Sequence, residues 1–422
     1  SFSSQWVIFN FVSGSIEDRQ PVAKNPIQRI MSVSDIKYLS SKKVPLFFTA
    51  VWLLYLLLSP IYIFSKGLPQ PADYIIFVLG FPALIITWMK HRGGVSKVFL
   101  FGALFAGLTV FINLIHFGFW HDDRLLRQSS YYIFNFCAFL FTLIVFKQNP
   151  KVINRLTYFA VAATIIFQAI YAPLFGEVEL LRNLGTFNNP NQLAYWALLS
   201  MSMIIILKRD QKFNFFDFIL FCLCIYIESL ALSKAGIIIT VLMTASLFFL
   251  PNMPKNGRIM IVIGLIGFFL FQLFDPSYLV NKLEHINRIS RVVARIDNIG
   301  QEQDDSVEGR GYGRLLRYPH YMIFGAGEGA FFRFGIGAQE IHSGLATLLF
   351  SYGVTGFFFF GLFIWAVSKD LPKQYYLILA LIFMFGLPHQ NIRFTYFWIF
   401  LAIMHTHHLY FNQKKQLENE ED

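Results

Sequence analysis

Residues 45–64, PLFFTAVWLLYLLLSPIYIF, carry no charged side chain. That length meets the need of about 20 residues for an α-helix that crosses a bilayer. The pattern recurs at Val98, with VFLFGALFAGLTVFINLI, and further apolar stretches follow along the chain. In lipid a segment must satisfy its own backbone hydrogen bonds, so only helices and closed barrels cross. Continuous apolar runs, rather than strict alternation, select helices. The chain is 55% hydrophobic and 14% charged, with 50 phenylalanines in 422 residues, too much apolar side chain for a soluble core. The expected class is therefore an all-α, polytopic membrane protein.

We read twelve apolar segments, at about 45–64, 73–89, 98–119, 130–146, 156–175, 192–207, 214–232, 236–250, 259–274, 343–366, 376–388 and 394–411. Alternate connections are short and basic: KHRGGVSK, KQNPKVINR, KRDQKFN, PNMPKNGR, SKDLPKQ and the tail NQKKQ. With the N-terminal segment they hold well over half of the 35 Lys and Arg residues. The positive-inside rule places them in the cytoplasm. The organisation that follows is a cytoplasmic segment 1–43, membrane helices 1–9 over 44–274, a large periplasmic loop over 275–342, helices 10–12 over 343–411 and a cytoplasmic tail 412–422. An even span count keeps both termini inside. The stretch before Met31 lacks the basic start of a signal peptide and reads as an expression scar, upstream translation or a disordered tail. Cys137, Cys222 and Cys224 fall inside apolar segments and read as small packing residues.

The large loop opens with SYLVNKLEHINRISRVVARIDNIG, whose Leu279, Leu283, Ile286, Ile289, Val293 and Ile296 recur in threes and fours. That spacing predicts an amphipathic helix lying on the membrane or over the bundle. QEQDDSVE, 301–308, reads as a polar link.

Chemistry is expected where charge defies the positive-inside rule. Arg182, Arg288, Arg291, Arg295, Arg310, Arg314, Arg317, Arg333 and Arg393 lie on the outer side, and Lys234 interrupts the apolar SLALSKAGIII. A cation at membrane depth needs a partner, and Glu228 lies in the same stretch. Loop arginines also simply keep a loop soluble, but gathered at an outer surface they suit a polyanion. LLRNLGTFNNPNQLAYW, 180–196, sets Asn183, Asn188, Asn189, Asn191 and Gln192 around Pro190. It reads either as a loop ending in a helix cap or as a sugar- or phosphate-binding segment. His342 stands where the loop re-enters the membrane, either as a solvated interface residue or as a base for a sugar hydroxyl.

GRGYGRLLRYPHYMIFGAGEG, 309–329, joins three arginines to a glycine run. A dinucleotide fingerprint needs a cytoplasmic βαβ unit, and here a membrane span follows on the outer side. Nucleic acid is excluded on the same ground. The arginines read as phosphate-facing, with Arg310 and Arg314 four apart on one helical face, and the glycines as the bend back to the membrane.

Arg182 with GTFNNPN before a span, the SKAG break, a large outer loop with an early arginine, a G-x-G segment and then His342-Ser343 resemble, in that order, the O-antigen ligase and O-antigen polymerase superfamily. The resemblance covers roughly 180–361. It implies a GT-C-like helical fold and an inverting, metal-independent glycosyltransferase of the bacterial inner membrane. The donor would be an oligosaccharide on undecaprenyl pyrophosphate, and the acceptor another lipid-linked repeat unit or lipid A-core. A chain-length regulator would be a further partner, and no cofactor or metal is implied. Lys234 matches the family's arginine after the central serine, Arg310 or Arg314 its loop arginine, and His342 its histidine. Ser343 replaces the usual asparagine. His342, Arg310 and Lys234 are then the expected catalytic residues. Arg182, Asn188, Asn191, Arg314 and Arg317 are the expected substrate-binding ones. The polymerase is preferred to the ligase on these departures. A lipid-linked-sugar transporter explains the spans but neither the large loop nor the lack of a half-to-half repeat. A purely structural membrane protein leaves the arginines, the asparagines and His342 unexplained.

Overall fold

The computed structural model describes residues 46–65, 67–82, 85, 96–179, 182–273, 310–335 and 340–421. The expectations for 1–43, for the 279–296 helix and for the 301–308 link lie outside these residues.

Helices α1 (Leu46–Leu58), α2 (Pro71–Ile75, continued by a π-turn at Ile76–Gly80), α3 (Lys97–Trp120), α4 (Asp123–Gln148) and α5 (Pro150–Phe175) come first. A minimal ladder, β1 (Val178–Glu179) against β2 (Arg182–Asn183), pairs Val178 with Asn183 and Glu179 with Arg182. Then come α6 (Pro190–Leu207), α7 (Phe215–Ala231), α8 (Lys234–Ser246) and α9 (Lys255–Leu273). Short helices α10 (Gly313–Arg317) and α11 (Tyr321–Phe324) precede α12 (Gly344–Ser368), α13 (Lys373–Phe385) and α14 (Thr395–Glu421). A helix stands at each of the twelve apolar segments. Among the described residues α3, α4, α5, α6 and α12 are long and apolar enough to cross a membrane. The molecule is thus mostly helical, and the β1–β2 ladder is its one departure from an all-helical reading among those residues.

The helix starts are written locally. Ser96, Asp122, Asn149, Asn189, Asn214, Ser233 and Ser343 each accept a backbone N–H of the first turn. Pro150 and Pro190 open α5 and α6, where a missing N–H costs nothing. The SKAG break resolves to two residues: Leu232 in a left-handed conformation (φ 47°) and Ser233 as cap of α8.

The core joins α3, α4, α12 and α14. Phe363 lies 5.1 Å from Phe139 and 5.3 Å from Trp398, ring centre to centre, and Phe105 lies 6.3 Å from Trp398. Lipid tails are as apolar as these rings, so close packing rather than escape from water holds such helices together. At the basic end Lys208 Nζ meets Asp217 3.2 Å away, and Tyr158 donates to the same carboxylate. That buried pair ties α5 to the α6–α7 connection.

Helix α12 is broken at Gly353 (φ 66°, ψ −176°). The carbonyls of Phe350 and Ser351 accept the N–H groups of Ala326 and Gly327, at 2.9 and 2.8 Å. The GAGEG segment therefore docks into an interrupted helix. A Cβ on Gly353 would stand 2.4 Å from the Ile323 carbonyl oxygen, in a backbone region that L-residues avoid.

Candidate functional site

A cavity of about 1000 Å³ opens among the ends of these helices. Its lining comes from the α1–α2 connection, the start of α4, the 188–195 segment, the 331–342 segment and the α13–α14 connection. Among the described residues none of the basic connections contributes to it.

Each wall is built by local chemistry. Gln70 is buried, and its side chain binds the backbone of Ile63, Phe64 and Leu68, which folds the α1–α2 connection around one amide. Asn188 Nδ2 donates to the Phe64 carbonyl from one flank, and Tyr131 Oη to the Gly67 carbonyl from the other, at 2.9 and 2.8 Å. Asn189 caps α6, as the plain reading of that segment requires, and this frees Asn191 to accept from Arg182 Nη2 at 2.5 Å. Arg182 Nε is bound to the Ala231 carbonyl, so the arginine ties β2 to the end of α7 and to the cavity wall.

His342 is exposed and lines the cavity with Asn188, Asn191 and His389. Its backbone N–H donates to the Arg310 carbonyl at 3.0 Å. Its ring has no hydrogen-bond partner among the described residues. Ser343 caps α12, and the Gly344 N–H is shared by the carbonyls of Gly386 and His389. Arg310 Nη1 reaches the Pro388 carbonyl at 2.5 Å, which brings the 310 turn against the α13–α14 connection.

The expected residues therefore divide. His342, Asn188 and Asn191 line the cavity, and Arg182 and Arg310 are bonded to its walls. Lys234, Arg314 and Arg317 do not line it. Lys234 opens α8, while Glu228 packs its carboxyl against Gly236 of the same junction. Arg310 and Arg314 do not share a helical face. Gly311 turns with φ 75°, α10 begins only at Gly313, and Arg310 stays outside it. Arg314 instead lies over the rings of Phe331 and Phe334, at 5.8 and 5.5 Å. Burial lowers its pKa from the ordinary guanidinium value.

A charged group escaped the sequence reading. Glu328, inside the glycine run, is fully buried and accepts from Tyr352 at 2.8 Å and Tyr132 at 3.1 Å. Its backbone N–H donates to Asn113 Oδ1 at 2.8 Å. Arg393 lies between Glu328 (3.4 Å) and Glu340 (2.7 Å), and also donates to Gln128. Burial lifts the Glu328 carboxyl above its ordinary value, and Arg393 offsets that only in part. Burial also raises Glu340, but the charge and hydrogen bond of Arg393 outweigh it and hold the carboxyl low. Burial pulls the Arg393 pKa down, and the two carboxylates more than reverse this, so it ends above the ordinary guanidinium value. Glu340 and Arg393 both line the cavity beside His342. Arg124 and Arg127, on the first turns of α4, line it too. The signal for them was HDDRLLRQ, two arginines three apart between two apolar segments.

The arrangement offers an exposed imidazole, amide hydrogen-bonding groups and fixed guanidinium groups around one cavity. Such a set can accept a proton, hold hydroxyls and balance anionic charge. No protein-family model matches the chain, and no curated protein matches it.

Proposed function

We propose that this chain is a twelve-span, GT-C-like glycosyltransferase of the bacterial inner membrane, with both termini cytoplasmic. It polymerises lipid-linked repeat units of a surface polysaccharide such as O-antigen, using undecaprenyl pyrophosphate donors at the periplasmic face. The observation that carries this reading is the cavity lining. His342 shares the cavity with Asn188 and Asn191, Arg182 is bonded to Asn191, and among the described residues none of the basic connections lines it.

In this reading His342 takes the proton of the acceptor hydroxyl as that oxygen attacks the anomeric carbon. The carbon–oxygen bond to the pyrophosphate breaks, and the leaving group departs with the electron pair. Arg182 and Arg310, bonded to the cavity walls, balance the charge that develops on it, and Lys234, which does not line the cavity, has no part in this step. Arg310 is held by its bond to Pro388, and Arg182 by its bond to Asn191. The Arg393–Glu340 pair fixes a carboxylate in the wall of the cavity that His342 also lines.

The test is glycan elongation by the purified protein in proteoliposomes, with donor and acceptor both presented on the outer face. Chains that lengthen on a lipid-linked acceptor support the polymerase. Transfer only to lipid A-core supports the ligase of the same superfamily. Movement of the lipid-linked sugar across the bilayer without any new glycosidic bond rejects both.

A further inference from the structure

The cationic residues assigned above to the donor leave a second basic group in the same cavity without a role. Arg124 and Arg127 stand at the start of α4, the helix that Asp122 caps. Two physical arguments run against cations there, and one of the cations also lacks a protein partner among the described residues. The outer side is disfavoured by the positive-inside rule. The N-terminus of a helix is its positive end. And Arg127 is exposed, with a guanidinium that meets no ion-pair or hydrogen-bond partner among the described residues.

The geometry nonetheless gathers these groups. Arg127 Nη1 and Tyr131 Oη both lie within 4 Å of the point where a Cβ of Gly67 would stand, at 3.9 and 3.7 Å. The missing side chain thus leaves a polar nook at the cavity rim. Arg124 is held by Asp122 at 3.0 Å and lies 5.6 Å from the centre of the Phe331 ring. Arg314 lies over the same ring. Asp122 itself is drawn off, since it accepts from Arg124 and from the Ala330 N–H. The carboxylate of Asp122 is therefore committed to Arg124, and Arg127 keeps its charge for something else.

We infer that Arg127, with Tyr131 and Arg124, forms a second phosphate-binding subsite, and that its occupant is the pyrophosphate of the acceptor lipid. This rests on the glycosyltransferase reading. Two guanidinium groups at a helix N-terminus suit a ligand with several anionic oxygens. The subsite is distinct from the donor residues. Arg182 reaches the cavity through Asn191 on α6, whereas Arg127 enters from α4 on the other flank of the α1–α2 connection. An acceptor anchored at Arg127 presents its sugar to the cavity that His342 lines.

The experiment uses the full chain in phosphatidylcholine nanodiscs, titrated with undecaprenyl pyrophosphate that carries no sugar. The wild type takes up two equivalents. Arg127→Gln keeps the first and weakens the second at least tenfold, and so does Arg124→Gln/Arg127→Gln. In the elongation assay Arg127→Gln raises the acceptor concentration at half-maximal rate at least tenfold and leaves that of the donor unchanged. Equal stoichiometry and equal acceptor dependence in wild type and variant overturn the inference while leaving the enzyme reading intact. Loss of the second equivalent when phosphatidylglycerol is added assigns the subsite to a lipid headgroup and also overturns it. A wild type that neither binds the lipid nor transfers sugar removes the underlying reading itself.

Discussion

Arg393 Nη1 stands 3.4 Å from Glu328 Oε1, and its other arm reaches Glu340 at 2.7 Å. One guanidinium thus joins the buried glycine segment to the cavity wall. Removing one partner of a buried pair leaves a charge without compensation, at a cost of about 3–5 kcal/mol. Arg393→Gln should therefore lower the thermal midpoint of the purified protein sharply. Glu328→Gln added to it should restore part of the loss, because the variant then buries one carboxylate fewer. Melting curves followed by tryptophan fluorescence test this. Additive losses in the double variant would mean that the two residues do not act as a pair.

The same group predicts an acid dependence. The Glu340 carboxyl is held below its ordinary value, with burial opposed and overcome by Arg393. A depressed carboxyl contributes stability that is complete above its unfolded pKa, about 4.3. That contribution is lost as pH falls through the folded value. Wild type should exceed Glu340→Gln in thermal midpoint at neutral pH, and the difference should shrink below about pH 4. Glu328 works in the opposite sense. Its carboxyl is raised by burial, so its contribution is complete below the unfolded value and is lost as pH rises through the folded one. Glu328→Gln should accordingly lose least, relative to wild type, at the alkaline end. A gap for Glu340→Gln that stays constant from pH 7 to pH 3 would exclude the Arg393 contact as its cause.

The helices were readable because lipid allows little else, and their starts because Asn189, Asn214 and Ser343 are written into the chain as caps. His342, Asn188 and Asn191 stood out in the sequence as polar residues next to apolar segments, and the fold brings the three to one cavity. Glu328 was not, since its partner Tyr132 lies 196 residues away and only the tertiary fold joins them. Composition placed it inside a glycine fingerprint, where the glycines drew the attention. The Arg310–Arg314 register failed for a local reason: four-residue spacing stacks side chains only inside a helix, and Gly311 keeps Arg310 out of one. Arg124 and Arg127 lie in HDDRLLRQ, where two adjacent aspartates offset their charge and leave no basic cluster to see.

Gly353 carries a prediction of its own. Its φ of 66° with ψ of −176° belongs to glycine alone, and a Cβ would meet the Ile323 carbonyl at 2.4 Å. Gly353→Ala should cost at least about 1–3 kcal/mol from the backbone alone. The loss should appear together with undocking of 325–328, because Phe350 and Ser351 would no longer offer their carbonyls to Ala326 and Gly327. Hydrogen exchange at those two amides is the direct measure. Unchanged protection with a lowered midpoint would place the strain elsewhere in α12.

On the glycosyltransferase proposal, His342 separates the chemistry from the scaffold. Its ring is exposed in the cavity and bonded to nothing among the described residues, so truncation leaves no buried group without a partner. His342→Ala should fold, insert and melt as the wild type does, while its rate of glycan transfer falls by about 10²–10⁴-fold, the usual share of a general base. Arg310→Ala should also abolish transfer, but by a different route: it loses a cation and the bond to Pro388, so its donor binding weakens with its rate. Donor affinity therefore tells the two apart, unchanged in the first and reduced in the second. Full activity of purified His342→Ala would withdraw the base assignment and turn the question to the other titratable groups of the lining, His389 and Glu340.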